Sequence, residues 1–225
     1  GIDDIQKLHI RTIPLGGHPR RIAHQVDTNT FAVAVEHLMS KDDQEVFIRL
    51  IDDGSFDTLH QFRLEEHELA SSLTSCSFAG DSREYYVVGT GFAYEQEDEP
   101  SRGRILVLRV EADALVLVSE KEVRGAVYNL NAFKGKLLAG INSKLELFKW
   151  TPREDDAHEL VSECSHHGQI ITFSVKTRGD WILVGDLMKS MSLLQYKPEE
   201  GAIDEIARDF NANWMTAVAM LDDDE

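Results

Sequence analysis

Apolar and polar residues alternate in short runs along the chain, and the runs come in pairs. Four stretches align with one another: "TFAVAVEH" then "EVFIRLID", "YYVVGTGFA" then "GRILVLRV", "KLLAGINS" then "KLELFKW", and "WILVGDLM" then "SMSLLQYK". Each first run is apolar and rich in β-branched residues. Each second run alternates apolar with polar, so each pair predicts a β-hairpin. With Phe31, Tyr86, Leu137 and Ile182 as equivalent positions, the intervals are 55, 51 and 45 residues. Periods of that size without a helical pattern point to a β-propeller or a related array.

A further strand is expected on either side of each hairpin. "PRRIAHQV" and "FDTLHQFRL" flank the first, "LASSLTSCSF" and "ALVLVSEKEV" the second, "GAVYNLNAF" and "HELVSECS" the third, "QIITFSVKT" and "AIDEIARDF" the fourth. Four strands per unit is the composition of a propeller blade. The expected blades cover residues 18–64, 69–123, 126–164 and 169–209. In "KLELFKW", Leu145 and Leu147 share one face while Phe148 and Trp150 share the other, as a strand packed between two blades requires. Residues 5–14 are expected to be the last strand of an adjoining blade, and residues 214–221 the first strand of the next. The fold class is therefore all-β: a section of a β-propeller, taken from a longer chain. A sandwich of four hairpins is the alternative architecture, and the regular four-strand phase argues against it.

The tripeptide Arg178-Gly179-Asp180 has the composition of an adhesion motif. It connects "ITFSVKT" to "WILVGD", the place that residues 134–136 ("KGK") hold one unit earlier. Glycine between polar residues suits a tight turn, so the reading is a hairpin turn.

The chain has 225 residues, of which 42% are hydrophobic and 28% charged, enough for a sizeable core. Its net charge is −17, which disfavours unaided binding to a phosphate backbone and suits partners that bring basic residues. Cys76 and Cys164 are far apart, no Asn-x-Ser/Thr acceptor is present, and no apolar run approaches a membrane span. A reducing, intracellular setting is expected, with no membrane partner.

Candidate chemistry is sparse. Neither a Gly-x-Ser-x-Gly elbow nor a phosphate-binding Gly-x-x-x-x-Gly-Lys-Ser/Thr loop occurs. "GTGFAY" lacks the third glycine and the following helix of a dinucleotide fingerprint. "CSHH" (residues 164–167) is the one metal-like cluster, but no second segment complements it, so a polar loop is expected and no metal or cofactor. Runs such as "EQEDE" (residues 95–99) read as solvated loops, although that one is longer than a turn needs and so is a binding candidate. Trp214, after an Asn-rich turn, is either a packing residue or a rim anchor. Nothing selects an enzyme.

"IQKLHIRTIPL", "GRILVLRV", "EKEVRGAVYNLNAFKGKLLAGINSKLELFKW", "KTRGDWILVGDLMKSMSLLQYK" and "IARDFNANWMTAVAMLDDD" closely resemble the third β-propeller of the damage-specific DNA-binding protein 1 family. The similarity is weakest between Gly16 and Glu45. It implies a fold of seven-bladed propellers and a scaffold role, as adaptor of a cullin-RING ubiquitin ligase in nucleus and cytoplasm. In that family the cullin is held by a propeller outside this chain. A cleft grips WD40-type substrate receptors through an inserted helix, viral proteins use the same cleft, and damaged DNA is contacted through a receptor. The implied partner surface comprises Tyr94, Glu97, Glu99, Glu122, Ala126, Tyr128, Asn129, Phe173, Ser174, Leu187, Lys189, Arg208 and Trp214. Lys189 stands where the family has arginine, Phe173 and Ser174 replace an aliphatic–tyrosine pair, and Asn129 stands where serine is common. On the residues alone, acidic side chains around an apolar and aromatic patch suit a basic amphipathic helix. Two rivals are a propeller that contacts nucleic acid directly and a hydrolase at the central channel.

Overall fold

The computed structural model describes residues 10–38, 44–154, 157–168, 170–188, 191–211 and 215–221. Among these the chain forms antiparallel strands β1 (His18–Gln25), β2 (Thr30–Leu38), β3 (Gln44–Asp52) and β4 (Thr58–Arg63), then β5 (Glu68–Ser77), β6 (Glu84–Phe92), β7 (Gly103–Glu111) and β8 (Ala114–Val123). They continue as β9 (Val127–Phe133), β10 (Lys136–Ile141), β11 (Lys144–Pro152) and β12 (His158–His167), and as β13 (Thr172–Arg178), β14 (Trp181–Asp186), β15 (Met191–Lys197) and β16 (Ala202–Arg208). Every consecutive group of four is one sheet in chain order, giving four four-stranded sheets of propeller-blade type. No helix among the described residues is long and apolar enough to cross a membrane.

The hairpin repeat is visible in the ladders. Phe31, Tyr86, Leu137 and Ile182 all sit on the second strand of their sheets, opposite Ile51, Leu108, Phe148 and Leu194. Sheets stack face to face because their middle strands are apolar on both sides. Tyr86, Val88, Leu106 and Leu108 pack toward the first sheet with Ala34, Ile48 and Leu50. Their neighbours Tyr85, Val87, Ile105 and Val107 pack toward the third with Leu137, Phe148 and Trp150. The third sheet then turns Leu145 and Leu147 onto Val175, Ile182 and Leu194 of the fourth.

Glycines set the closeness of this stacking. A Cβ on Gly89 of β6 would lie 2.6 Å from Val127 Cγ1, at the start of the next sheet. A Cβ on Gly140 of β10 would lie 3.1 Å from Thr172 Cγ2, and one on Gly185 of β14 would lie 2.8 Å from Val218 Cγ1. In each case the first strand of the following unit, or its counterpart, rests on a position without a side chain.

That last contact bears on the expected end strands. Residues 5–9 and 214 lie outside the described residues. Residues 10–14 and 215–221 carry no strand hydrogen bonding, contrary to expectation. The packing position is nevertheless occupied, since Val218 is buried against Gly185 as Val127 is against Gly89. A strand ladder needs a second strand beside it, and none of the described residues supplies one there.

Two other readings meet the structure here. The Arg178-Gly179-Asp180 segment is a hairpin turn with Gly179 at φ +56°, and its counterpart has Lys134 at +50° and Gly135 at +72°. The two turns are joined by a Lys134–Asp180 ion pair. The "CSHH" cluster is not a loop but the end of β12, paired with Lys144–Leu147 of β11. Strand alternation sends Cys164 and His166 to one face and Ser165 and His167 to the other. Among the described residues no group of His, Cys, Asp and Glu could hold a metal ion.

Candidate partner-binding surface

The implied partner residues that the structure describes gather at one rim, where second strands end and first and third strands begin. Their order along it follows the sheets: the loop 93–102 after β6, the end of β8, the start of β9, the start of β13, the end of β14 and the end of β16. Lys189 and Trp214 lie outside the described residues.

A recurrent irregularity shapes this rim. The first strand of every sheet carries one extra residue opposite the second strand, between Pro19 and Arg21, Ala70 and Ser72, Val127 and Asn129, and Thr172 and Ser174. The extra residues are Arg20, Ser71, Tyr128 and Phe173. A β-bulge leaves its extra residue without a ladder partner and re-aims its side chain. Two implied partner residues, Tyr128 and Phe173, thus occupy the same bulge position in consecutive sheets. Phe173 is 45% exposed, an unusual state for a phenylalanine, and Met188, just past the end of β14, is 47% exposed. Tyr128 is half-buried, and its phenol is held above the ordinary tyrosine value first by burial and then by the Glu99 carboxylate.

The acidic loop is built rather than loose. Glu97 accepts from Ser101 N at 3.1 Å and from Ser101 Oγ at 2.7 Å, so it shapes the loop instead of reaching outward. Tyr94 stacks on buried Phe92 with centroids 6.1 Å apart, and the Arg102 guanidinium covers the same ring at 4.1 Å. Arg102 also donates to Glu122 at 2.9 Å, and its hydrogen bonds with Tyr94 first and Glu122 second hold it above its ordinary basicity. Beneath lies a buried pair: Arg104 Nε donates to Glu68 Oε1 at 2.8 Å, and Thr90 Oγ1 donates to the same oxygen at 2.5 Å. The hydrogen bonds to the Glu68 carboxylate raise the basicity of Arg104, more than offsetting the opposing effect of burial.

Other implied residues are engaged within the fold. Ala126 is buried, with its N–H bonded to Asn142 Oδ1 at 2.7 Å, and offers no surface to a partner. Asn129 Nδ2 donates to the Thr172 carbonyl at 2.8 Å, tying the third sheet to the fourth. Ser174 is half-buried, Leu187 is half-buried with its N–H on Ile171 O at 3.3 Å, and Arg208 donates to Glu205 at 2.6 Å. Arg208 also lines a groove between the third and fourth sheets with His166, Thr172, Asp186 and Ser192. Of the implied residues, Phe173 and Glu99 are the exposed ones not tied down in this way, with Tyr128 and Leu187 half-buried between them and the core. Asn142 was not singled out by sequence, although an asparagine before Ser-Lys between two apolar runs is a turn signal.

Residues 45–225 match the family described as the CPSF A subunit region. The chain belongs to this family. It is also similar to DNA damage-binding protein 1a of Arabidopsis thaliana, at 56% identity over 99% of the chain, and to DNA damage-binding protein 1 of Solanum lycopersicum, at 57% over 99%. DNA damage-binding protein 1 of Oryza sativa subsp. japonica is 55% identical over the same share. The chain spans about a fifth of the length of these relatives, 21% in each case.

Proposed function

We propose that this chain is a protein-docking section of a DNA-damage response scaffold, the adaptor of a cullin-RING ubiquitin ligase that recruits substrate receptors. The observation that supports it most directly is the pair of bulges that turn Tyr128 and Phe173 out of consecutive sheets beside an acidic loop. Apolar rings bordered by carboxylates suit the apolar face and flanking lysines of an amphipathic helix, the rings supplying desolvated contact and the carboxylates orientation. The cullin would be held elsewhere in the full-length protein, and receptors of WD40 type or viral mimics would occupy this rim. Work in the nucleus and cytoplasm accords with that role.

The test is titration of the full-length protein with a helical peptide carrying leucines on one face and lysines beside it. Tyr128→Ala with Phe173→Ala is expected to weaken binding by at least tenfold, about 1.4 kcal/mol, with the fold intact. Equal affinity would sink the reading. A second reading, direct contact with damaged DNA, is favoured by the names of the relatives and opposed by the net charge of −17. Salt-dependent DNA binding by the full-length protein without any receptor would favour it.

A further inference from the structure

Asn142 stands in the β10–β11 turn with a left-handed backbone, φ +47°, and all of its polar groups are hydrogen-bonded, two of them to neighbouring units. Its backbone N–H donates to Ala126 O at 3.0 Å, and its carbonyl accepts from Thr172 N at 2.9 Å. Its side-chain Oδ1 accepts from Ala126 N at 2.7 Å, while Nδ2 donates to Pro100 O at 2.9 Å. Four hydrogen bonds from one residue therefore reach the acidic loop of the second unit, the entry to the third, and the first strand of the fourth.

Two glycines keep the space that this requires. A Cβ on Gly125, at φ +141°, would sit 2.6 Å from the Asn142 side-chain amide carbon. A Cβ on Gly103 would sit 2.2 Å from the Gly125 carbonyl oxygen. The start of β7, the link before β9 and the β10–β11 turn are thus pressed together, with the Asn142 amide as the polar filling. Asparagine is suited to the place, since it tolerates the left-handed region and carries both a donor and an acceptor.

We infer that Asn142 is the positioning residue of the rim: through Pro100 it fixes the acidic loop, and with it the Glu99 carboxylate, against the entry to the third sheet where Tyr128 lies. Asn142 touches no partner in this arrangement. Its effect on binding passes through the distance between a carboxylate and an aromatic ring, and to that extent the inference rests on the docking role proposed above. Pro100 is the lever, being one residue from Glu99 and bonded by its carbonyl. Glu97, by contrast, closes the loop on itself and sets its shape but not its place.

The experiment uses the full-length protein with Asn142→Gly, which keeps the left-handed backbone accessible and removes both side-chain bonds. Asn29→Gly, in the β1–β2 turn at φ +51°, serves as a control of like backbone chemistry. The first readout is the titration of Tyr128 followed by carbon NMR of labelled tyrosine, assigned with Tyr128→Phe. The phenol titrates lower in Asn142→Gly and is unchanged in Asn29→Gly, because Glu99 has moved away while the fold persists. The second readout is affinity for the leucine–lysine helical peptide, expected to fall about tenfold in Asn142→Gly, as loss of order around a charged contact implies. An unaltered Tyr128 titration overturns the inference. A lowered titration with unchanged peptide affinity also overturns it, since the loop would then be held by Asn142 without governing binding. If the wild type fails to bind the peptide while the titration moves, the docking reading falls and the placement of the loop by Asn142 stands.

Discussion

The Arg104 guanidinium grips the Glu68 carboxylate with two donors, Nε to Oε1 at 2.8 Å and Nη2 to Oε2 at 2.5 Å. Glu68 is only 1% exposed and Arg104 6%. A buried pair stabilises little over an apolar replacement, but removing one member strands the other charge. Arg104→Ala is expected to cost about 3–5 kcal/mol in urea unfolding, whereas Arg104→Met with Glu68→Leu costs far less. A single-mutant cost below that of the double mutant would show that the pair does not carry the base of the acidic loop.

At the opposite rim Asp81 accepts from Tyr85 Oη at 2.5 Å, Arg83 Nε at 2.9 Å and Trp150 Nε1 at 3.1 Å. Burial alone would push its carboxyl up, yet these donors hold it well below the ordinary 3.8. A depressed folded value means that the carboxylate stabilises the protein above the unfolded value, and that this contribution drains as pH falls below about 4. Asp81→Asn is expected to lower stability at pH 7 by ~1–3 kcal/mol and to flatten its dependence between pH 4 and pH 2. Chemical denaturation across that interval measures both, and an undiminished slope would count against the assignment.

Gly89 and Gly179 are contrasting glycines. A Cβ at Gly89 would meet Ser72 Oγ at 2.2 Å and Val127 Cγ1 at 2.6 Å, whereas one at Gly179 meets nothing within 4 Å. Gly89→Ala is expected to cost ~1–3 kcal/mol by overpacking between sheets. Gly179→Ala should cost only the ~1–2 kcal/mol of a left-handed backbone, with the stacking undisturbed. Thermal unfolding of the two variants, with hydrogen exchange at β9, separates the causes: faster exchange there is expected for Gly89→Ala alone.

Cys76 is buried, and its thiol is pushed up to about 12 by burial and then by Glu84. Cys164 is half-buried and raised to a lesser degree, again first by burial. Thiolate is the reactive form, so iodoacetamide at pH 8 should label Cys164 well before Cys76, with the difference vanishing in urea. Preferential labelling of Cys76 in the native protein would contradict its place in the core.

Much of the fold was legible because its signal is local. A run such as Tyr85–Phe92, apolar on both faces, cannot be anything but a middle strand between two cores, and each hairpin declares its own turn. The rim was less legible. Tyr128 and Phe173 face outward because of a one-residue slip against β10 and β14, and cross-strand register leaves no mark in either strand's sequence. Ala126 stood among the implied contacts, yet the Asn142 amide and the bare Gly91 opposite draw it inside. The cluster at residues 164–167 looked polar enough for a loop, but pairing with Lys144–Leu147 outweighs composition.

The series Gly89, Gly140 and Gly185 acts as an index wheel. Each missing side chain is a notch, and Val127, Thr172 and Val218 are the teeth that enter it. A notch admits one depth of approach, so the angle between successive units is set by atoms a few ångströms across and then multiplied around an arc. A methyl group added at one notch would accordingly displace whatever lies several units away, far beyond any contact it makes itself.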